Sequence, residues 1–206
     1  SNKSALLPSD VKILFETDQV RLNRAVRSDW YINAYRLYVV TGLRLGELAG
    51  LQHNDISGNV LTVNRAVNEL NEITTGKNQN ARRSYKLPLL AVRIINEQRN
   101  MLRSAGVKSD WLFPTPSGEM THPHNLYVRW VKYRDFNGLS KITLYELRHT
   151  FISICKGKLS KEELEPIVGH SKNMDTFSDR FYGHQFDDGR YDETARKIDD
   201  IFANLI

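Results

Sequence analysis

The sequence predicts a mostly helical α+β domain with a small antiparallel sheet of about three strands. Three observations carry this expectation. Apolar residues recur at helical spacing over most of the chain, the period changes to two between Asp55 and Leu87, and the turn residues cluster inside that same stretch. The composition agrees: 206 residues with 40% apolar, 26% charged, 12 Gly and 6 Pro belong to a globular class.

The elements follow in chain order. Leu6–Thr17 reads as an opening helix capped by Ser9 or Asp10. Asp29–Val40 is a second helix with Tyr31, Ala34, Tyr35 and Tyr38 on one face, and Thr41-Gly42 ends it because glycine accepts a left-handed turn. Gly46–Gln52 is a short helical stretch. Val60, Thr62 and Asn64 then alternate with Leu61 and Val63, and Ser84–Leu87 forms another run. Gly58-Asn59 and Thr75-Gly76-Lys77-Asn78 supply the turns. Helical patterns resume over Leu90–Leu102, His124–Asp135 and Thr143–Lys156, then from Ser160 and from Arg190.

Charge and cysteine usage narrow the function classes. No stretch reaches 18 apolar residues, and Ser1-Asn2-Lys3-Ser4 lacks the order of a signal peptide, so a cytoplasmic protein with no membrane partner is expected. Cys155 is a lone cysteine, read as a buried thiol. The net charge is +5, but unevenly spread: from residue 184 onward six acids (Asp187, Asp188, Asp192, Glu193, Asp199, Asp200) face three bases (Arg190, Arg196, Lys197). Ile73–Asn96 and Met120–Arg134 contain no acid at all. Arg82, Arg83 and Lys86 in the first, and Arg129, Lys132 and Arg134 in the second, are candidate DNA contacts. Tyr127, Trp130 and Tyr133 among them read as partly core rather than as a base-stacking platform. His122, His124 and His149 complete no ligand set, so neither a metal nor a cofactor is expected.

Several segments carry chemistry. In Thr41-Gly42-Leu43-Arg44-Leu45-Gly46-Glu47-Leu48 an arginine precedes a carboxylate by three residues, close enough for Glu47 to hold the Arg44 fork; alone, such a pair is an ordinary helix-surface ion pair. In Thr143–Thr150, Tyr145 and Arg148 share a helix face. Val168-Gly169-His170-Ser171 and Phe181-Tyr182-Gly183-His184 follow.

On these blocks, with the hairpin Thr75–Leu89 around Lys77, the chain from about Leu7 onward resembles the catalytic domain of the tyrosine recombinases, the phage-integrase family, most of all integrases of prophages and conjugative transposons. The resemblance implies a catalytic domain over residues 1–186 and a tail helix over 187–206, with further DNA-binding domains ahead of it in a longer protein. It implies Arg44 and Arg148 as clamps on the non-bridging phosphate oxygens, Tyr182 as nucleophile, Lys77 as general acid for the departing 5′-oxygen, His170 as a further phosphate donor and Glu47 as the group that orients Arg44. The chemistry suits the residue types: guanidinium forks match phosphate oxygens, and a phosphotyrosine link permits religation without ATP. The implied partners are double-stranded DNA and further copies of the chain, in dimers and a tetrameric synapse, at the nucleoid of a bacterial host.

Two positions depart from the family's pattern. Tyr145 stands where the family usually has histidine, and the interval from His170 to Tyr182 is 12 residues, longer than usual, which suggests an insertion near Asn173–Asp179; Tyr191 is the only later tyrosine. A non-catalytic DNA-binding module on this scaffold conflicts with the intact set Arg44, Lys77, Arg148, His170 and Tyr182. A type IB topoisomerase would share the chemistry. The terminal stripe Ile198, Ile201, Phe202, Leu205 and Ile206, with no later residue to cover it, points instead to docking on a neighbouring protomer.

Overall fold

The computed structural model describes residues 4–75, 83–169 and 189–206. Helix α1 spans Pro8–Glu16. Proline suits the first helical position, and Asp10 reaches back so that its Oδ2 accepts the Leu7 N–H at 3.1 Å. Leu7, not Ser9 or Asp10, therefore holds the cap position. A hairpin follows, β1 (Gln19–Leu22) with β2 (Ala25–Ser28), which the sequence did not announce. Its turn residues Asn23 and Arg24 both have positive φ without a glycine, and β2 is exposed throughout, so neither a turn signal nor an apolar alternation marks it.

Helix α2 (Ile32–Thr41) runs through the core with Tyr35, Leu37, Tyr38, Val39 and Val40 fully buried. It stops at Gly42, whose φ of +60° is left-handed and whose space is taken: a Cβ there would stand 2.3 Å from Phe151 Cδ1. Helix α3 (Leu45–Ala49) and a 3-10 turn (His53–Asp55) lead into the sheet.

The expected three-stranded antiparallel sheet is present: β3 (Ile56–Ser57), β4 (Val60–Val63) and β7 (Arg83–Lys86), in the order β3-β4-β7. Between β4 and β7 a second hairpin, β5 (Ala66–Val67) with β6 (Ile73–Thr74), stands apart. Register sets which side chains enter. Leu61 faces Tyr85 and Val63 faces Arg83, and on each strand the residues two apart point inward together. Arg83 is thereby placed on the buried face beside Tyr85.

The remaining helices are α4 (Leu89–Ser104), α5 (Pro123–Phe136), α6 (Glu146–Cys155), α7 (Lys161–Val168) and α8 (Gly189–Ala203). On α5, Trp130 and Tyr133 are core residues. Trp130 packs edge-on against Tyr35 at 5.2 Å and donates to Ile142 O, while Tyr133 donates to Thr17 O. Tyr127 alone of that set reaches the surface. Helix α7 opens with a reciprocal cap, Ser160 Oγ accepting from Glu163 N and Glu163 Oε2 accepting from Ser160 N. Among the described residues no helix is long and apolar enough to cross a membrane.

Within the single chain, helix α8 buries Ala195, Ile198, Ile201 and Phe202 against α4, α6 and β7. The Phe202 ring meets Phe15 at 6.4 Å. Asp199 accepts the free N–H groups of Leu89 and Leu90 at 2.7 and 2.9 Å, so the tail caps α4. Lys197 reaches Glu163 at 2.8 Å. The groove that receives the stripe is assembled from distant segments, which periodicity cannot reveal.

Candidate active site

The site begins where α2 ends. Gly42 turns the chain so that Arg44 sits at the cap position of α3, with an extended backbone and its N–H bonded to Glu47 Oε2 at 2.8 Å. One turn into the helix, Glu47 also accepts from Arg44 Nη1 at 3.0 Å. Arg44 Nη2 donates to Gly169 O at 3.0 Å. The Arg44 side chain is still 42% exposed, so it presents donors outward while Glu47 fixes it from within.

Helix α6 supplies Arg148 from the buried side. Its Nη1 donates to Gly42 O and its Nη2 to Val168 O at 2.7 Å. Burial, then repulsion from Arg44 and Arg83, lower its pKa against the attraction of Glu47, although a guanidinium stays charged. Arg44 and Arg148 thus converge on the end of α7, each bonded to one of its last carbonyls. Burial alone would raise the Glu47 carboxyl. The hydrogen bonds and charge of Arg83, with the backbone N–H and charge of Arg44, more than reverse this and draw it down to about 2.

Tyr145, at the cap position of α6, is 51% exposed and lies edge-on to His149 at 5.4 Å. With Leu45, Tyr127, His124 and Thr143 it lines a cavity of about 540 Å³, bounded on its far side by Glu69 and Asn71 of the β5–β6 hairpin. Beneath the site, burial raises the Tyr38 hydroxyl against the pull of Arg148.

Lys77, Arg82, His170 and Tyr182 lie outside the described residues. The chain reaches position 170 directly from Gly169, whose φ of +68° ends α7.

Four of the candidate DNA contacts have partners within the chain. Arg83 has no exposed side-chain surface and forks onto Glu47. Lys86 pairs with Asp192 at 2.7 Å on α8. Arg129 is drawn inward to Asp29 at 3.4 Å and over the Tyr31 ring, and Arg134 bonds Ile142 O and Asp135. Lys132 is exposed on α5. An acid-free stretch can supply its cations to acids from elsewhere in the chain, and four of these six do so or bond main-chain oxygens. The inward place of Arg83 was visible in its two-residue spacing from Tyr85, had alternation been weighed above charge.

The sequence model described as the phage integrase family matches residues 7–187. No curated protein sequence matches the chain. Among solved structures, the Tn1549 transposon integrase in complex with transposon right end DNA superposes with a TM-score of 0.67 at 22% identity, over 95% of this chain and 66% of that one. The lambda integrase catalytic core gives 0.58 at 17% identity, over 82% and 96%. A lambda integrase tetramer bound to a Holliday junction gives 0.55 at 18%, over 71% and 42%. The likeness is one of fold, and the chain spans just under two thirds of the transposon integrase chain.

Proposed function

Because the chain belongs to the phage integrase family, we propose that it is a site-specific DNA recombinase, cleaving and rejoining strands through a 3′-phosphotyrosyl intermediate during integration or excision of a mobile element. The observation that carries this is the convergence of Arg44 and Arg148 on the end of α7, with Glu47 fixing Arg44 from behind. Two guanidiniums so held can take the non-bridging oxygens of a phosphodiester and stabilise the charge that develops on attack.

Tyr182 attacks phosphorus and releases a 5′-hydroxyl, with Lys77 donating the proton that the leaving oxygen needs. His170 donates a further hydrogen bond to the phosphate. Tyr145 borders the phosphate site and contributes a neutral hydrogen bond, weaker than the charged donor of Arg148. Reversal by the 5′-hydroxyl of a second strand gives exchange. The tetrameric synapse and its dimer intermediates belong to this reading, and they act on nucleoid DNA in a bacterial host. Support for a DNA partner comes from the similar integrases, which are bound to DNA.

A nicked suicide duplex tests the reading. The wild-type chain gives a protein–DNA adduct that survives denaturation, and Tyr182→Phe loses it while still binding DNA. Lys77→Ala fails on ordinary DNA and recovers on a 5′-bridging phosphorothiolate, whose thiolate leaves unprotonated. An adduct that persists in Tyr182→Phe overturns the assignment.

A further inference from the structure

Three consecutive carbonyls at the end of α7 each accept one arginine from a different part of the fold. Ile167 O takes Arg83 Nε at 3.0 Å, Val168 O takes Arg148 Nη2 at 2.7 Å, and Gly169 O takes Arg44 Nη2 at 3.0 Å. These are carbonyls that a helix end leaves without partners. Arg83 and Arg148 are both buried while Arg44 is partly exposed, and of the three guanidiniums only that of Arg83 joins the helix end to both oxygens of Glu47. Its Nη1 is 2.8 Å from Oε1 and its Nη2 is 2.8 Å from Oε2.

All three nitrogens of the Arg83 fork are therefore engaged, on partners that each bear on the proposed chemistry. Glu47 holds Arg44 through both its backbone and its guanidinium. Gly169 is packed so closely that a Cβ would meet Arg83 Cζ at 3.3 Å and Arg44 Nη1 at 3.4 Å, and the next residue is His170. Arg83 also begins β7 directly after residues 76–82, the segment that carries Lys77. A buried ion pair is weak evidence of a stabilising role, since apolar replacements are often as stable. A planar fork bonded at three places is evidence of fixed geometry, and lysine, a point charge, cannot reproduce it.

We propose that Arg83 is a positioning residue of strand cleavage: its bidentate bond to Glu47 aims Arg44 at the scissile phosphate, and its bond to Ile167 O fixes the helix end to which Arg44 is also bonded through Gly169 O. The proposal rests on the recombinase reading above. The charges support it. Arg44 from α3, Arg83 from β7 and Arg148 from α6 surround Glu47, with Tyr38 of α2 and Tyr85 of β7 also facing it. The Glu47 carboxylate offsets three cations only while it stays ionised.

The test compares the full wild-type chain with Arg83→Lys and Arg83→Met, using the nicked duplex that gives most wild-type adduct from a random-sequence pool. Adduct rate at saturating DNA and the Kd for the same duplex are measured separately. Arg83→Lys lowers the rate about 10-fold and Arg83→Met about 100-fold, while Kd moves less than about threefold. Arg83→Met also acquires an acid limb in its pH–rate profile. With Arg83 gone, burial raises the Glu47 carboxyl, which then protonates as the pH falls and releases Arg44; a scaffold defect alone would scale the rate equally at every pH. Independently of catalysis, the nitrogen-15 spectrum of the arginine side chains, with Arg44 assigned by Arg44→Lys, shows distinct Nη signals for Arg44 in the wild type that average together in both variants.

A wild-type rate in Arg83→Lys overturns the proposal, as do unchanged Arg44 signals. A Kd that weakens in step with the rate, with a shallower salt dependence, returns Arg83 to the DNA contacts. A wild-type chain that forms no adduct overturns the recombinase reading instead, and the Arg44 signals still decide whether Arg83 orders its neighbour. Should Arg83→Met fail to fold, Arg83→Lys decides alone.

Discussion

Phe202→Ala measures how firmly the tail helix is seated. The ring is fully buried and faces Phe15 at 6.4 Å, with Ile198 and Ile201 of α8 buried alongside. Truncating such a phenylalanine costs about 3–5 kcal/mol, as the sum of lost transfer free energy and the cavity left behind. Phe15, which faces the ring, is only partly buried and can shift to close part of the cavity, so the lower end, about 3 kcal/mol, is expected. With a urea m-value near about 3 kcal/mol/M for a chain of this length, the unfolding midpoint falls by about 1 M at unchanged slope. Asp199→Ala, which frees the Leu89 and Leu90 N–H groups, costs about 1 kcal/mol by the same assay. A Phe202→Ala midpoint within about 0.2 M of wild type would refute the argument, because a ring in solvent forgoes nothing on truncation.

Three further outcomes follow from the geometry. Gly42→Ala combines a left-handed φ with a 2.3 Å approach to Phe151 and should cost about 2 kcal/mol or more, lowering Tm by at least about 4 °C; an unchanged melt would show that the turn relaxes freely. The Glu47 carboxyl titrates at about 2 in the folded chain against the usual 4.5, so its contribution is complete above pH 4.5 and is lost as pH falls toward 2. The stability gap between wild type and Glu47→Gln should therefore shrink by about 3 kcal/mol across that window in urea titrations, and a gap constant with pH would contradict the assigned partners. Burial pushes the Cys155 thiol up to about 12, against the opposing charge of Lys158, so a disulfide reagent at pH 8 should label it only in denaturant; rapid labelling of the native chain would show that α6 opens there.

The long helices and the three-stranded sheet were legible because their signals are local. The apolar face of Asp29–Val40 became α2, and the alternation around Leu61 became β4. The β1–β2 hairpin was not, since an Asn-Arg turn and an exposed strand leave no pattern to read. In the site, Arg44 with Glu47 was legible from a three-residue spacing. The company kept by Arg83, Lys86 and Arg129 was not, because Glu47, Asp192 and Asp29 come to them from 36 to more than a hundred positions away. A run of cations shows that charge is present and leaves open which way each side chain points.

The carbonyl ladder at the end of α7 bears on how this wall of the site tolerates mutation. Arg83, Arg148 and Arg44 grip main-chain oxygens, which every amino acid carries, so the grip asks of residues 167 and 168 only that they continue a helix and fill apolar space. Swaps among Ile, Val and Leu at those positions leave the anchoring atoms where they are. Position 169 has less latitude, for a side chain there would be strained by the left-handed φ and would press on the two guanidiniums beside it. One wall of the site is thus specified by backbone shape and the facing wall by side-chain identity, and substitutions will be absorbed on the first far more readily than on the second.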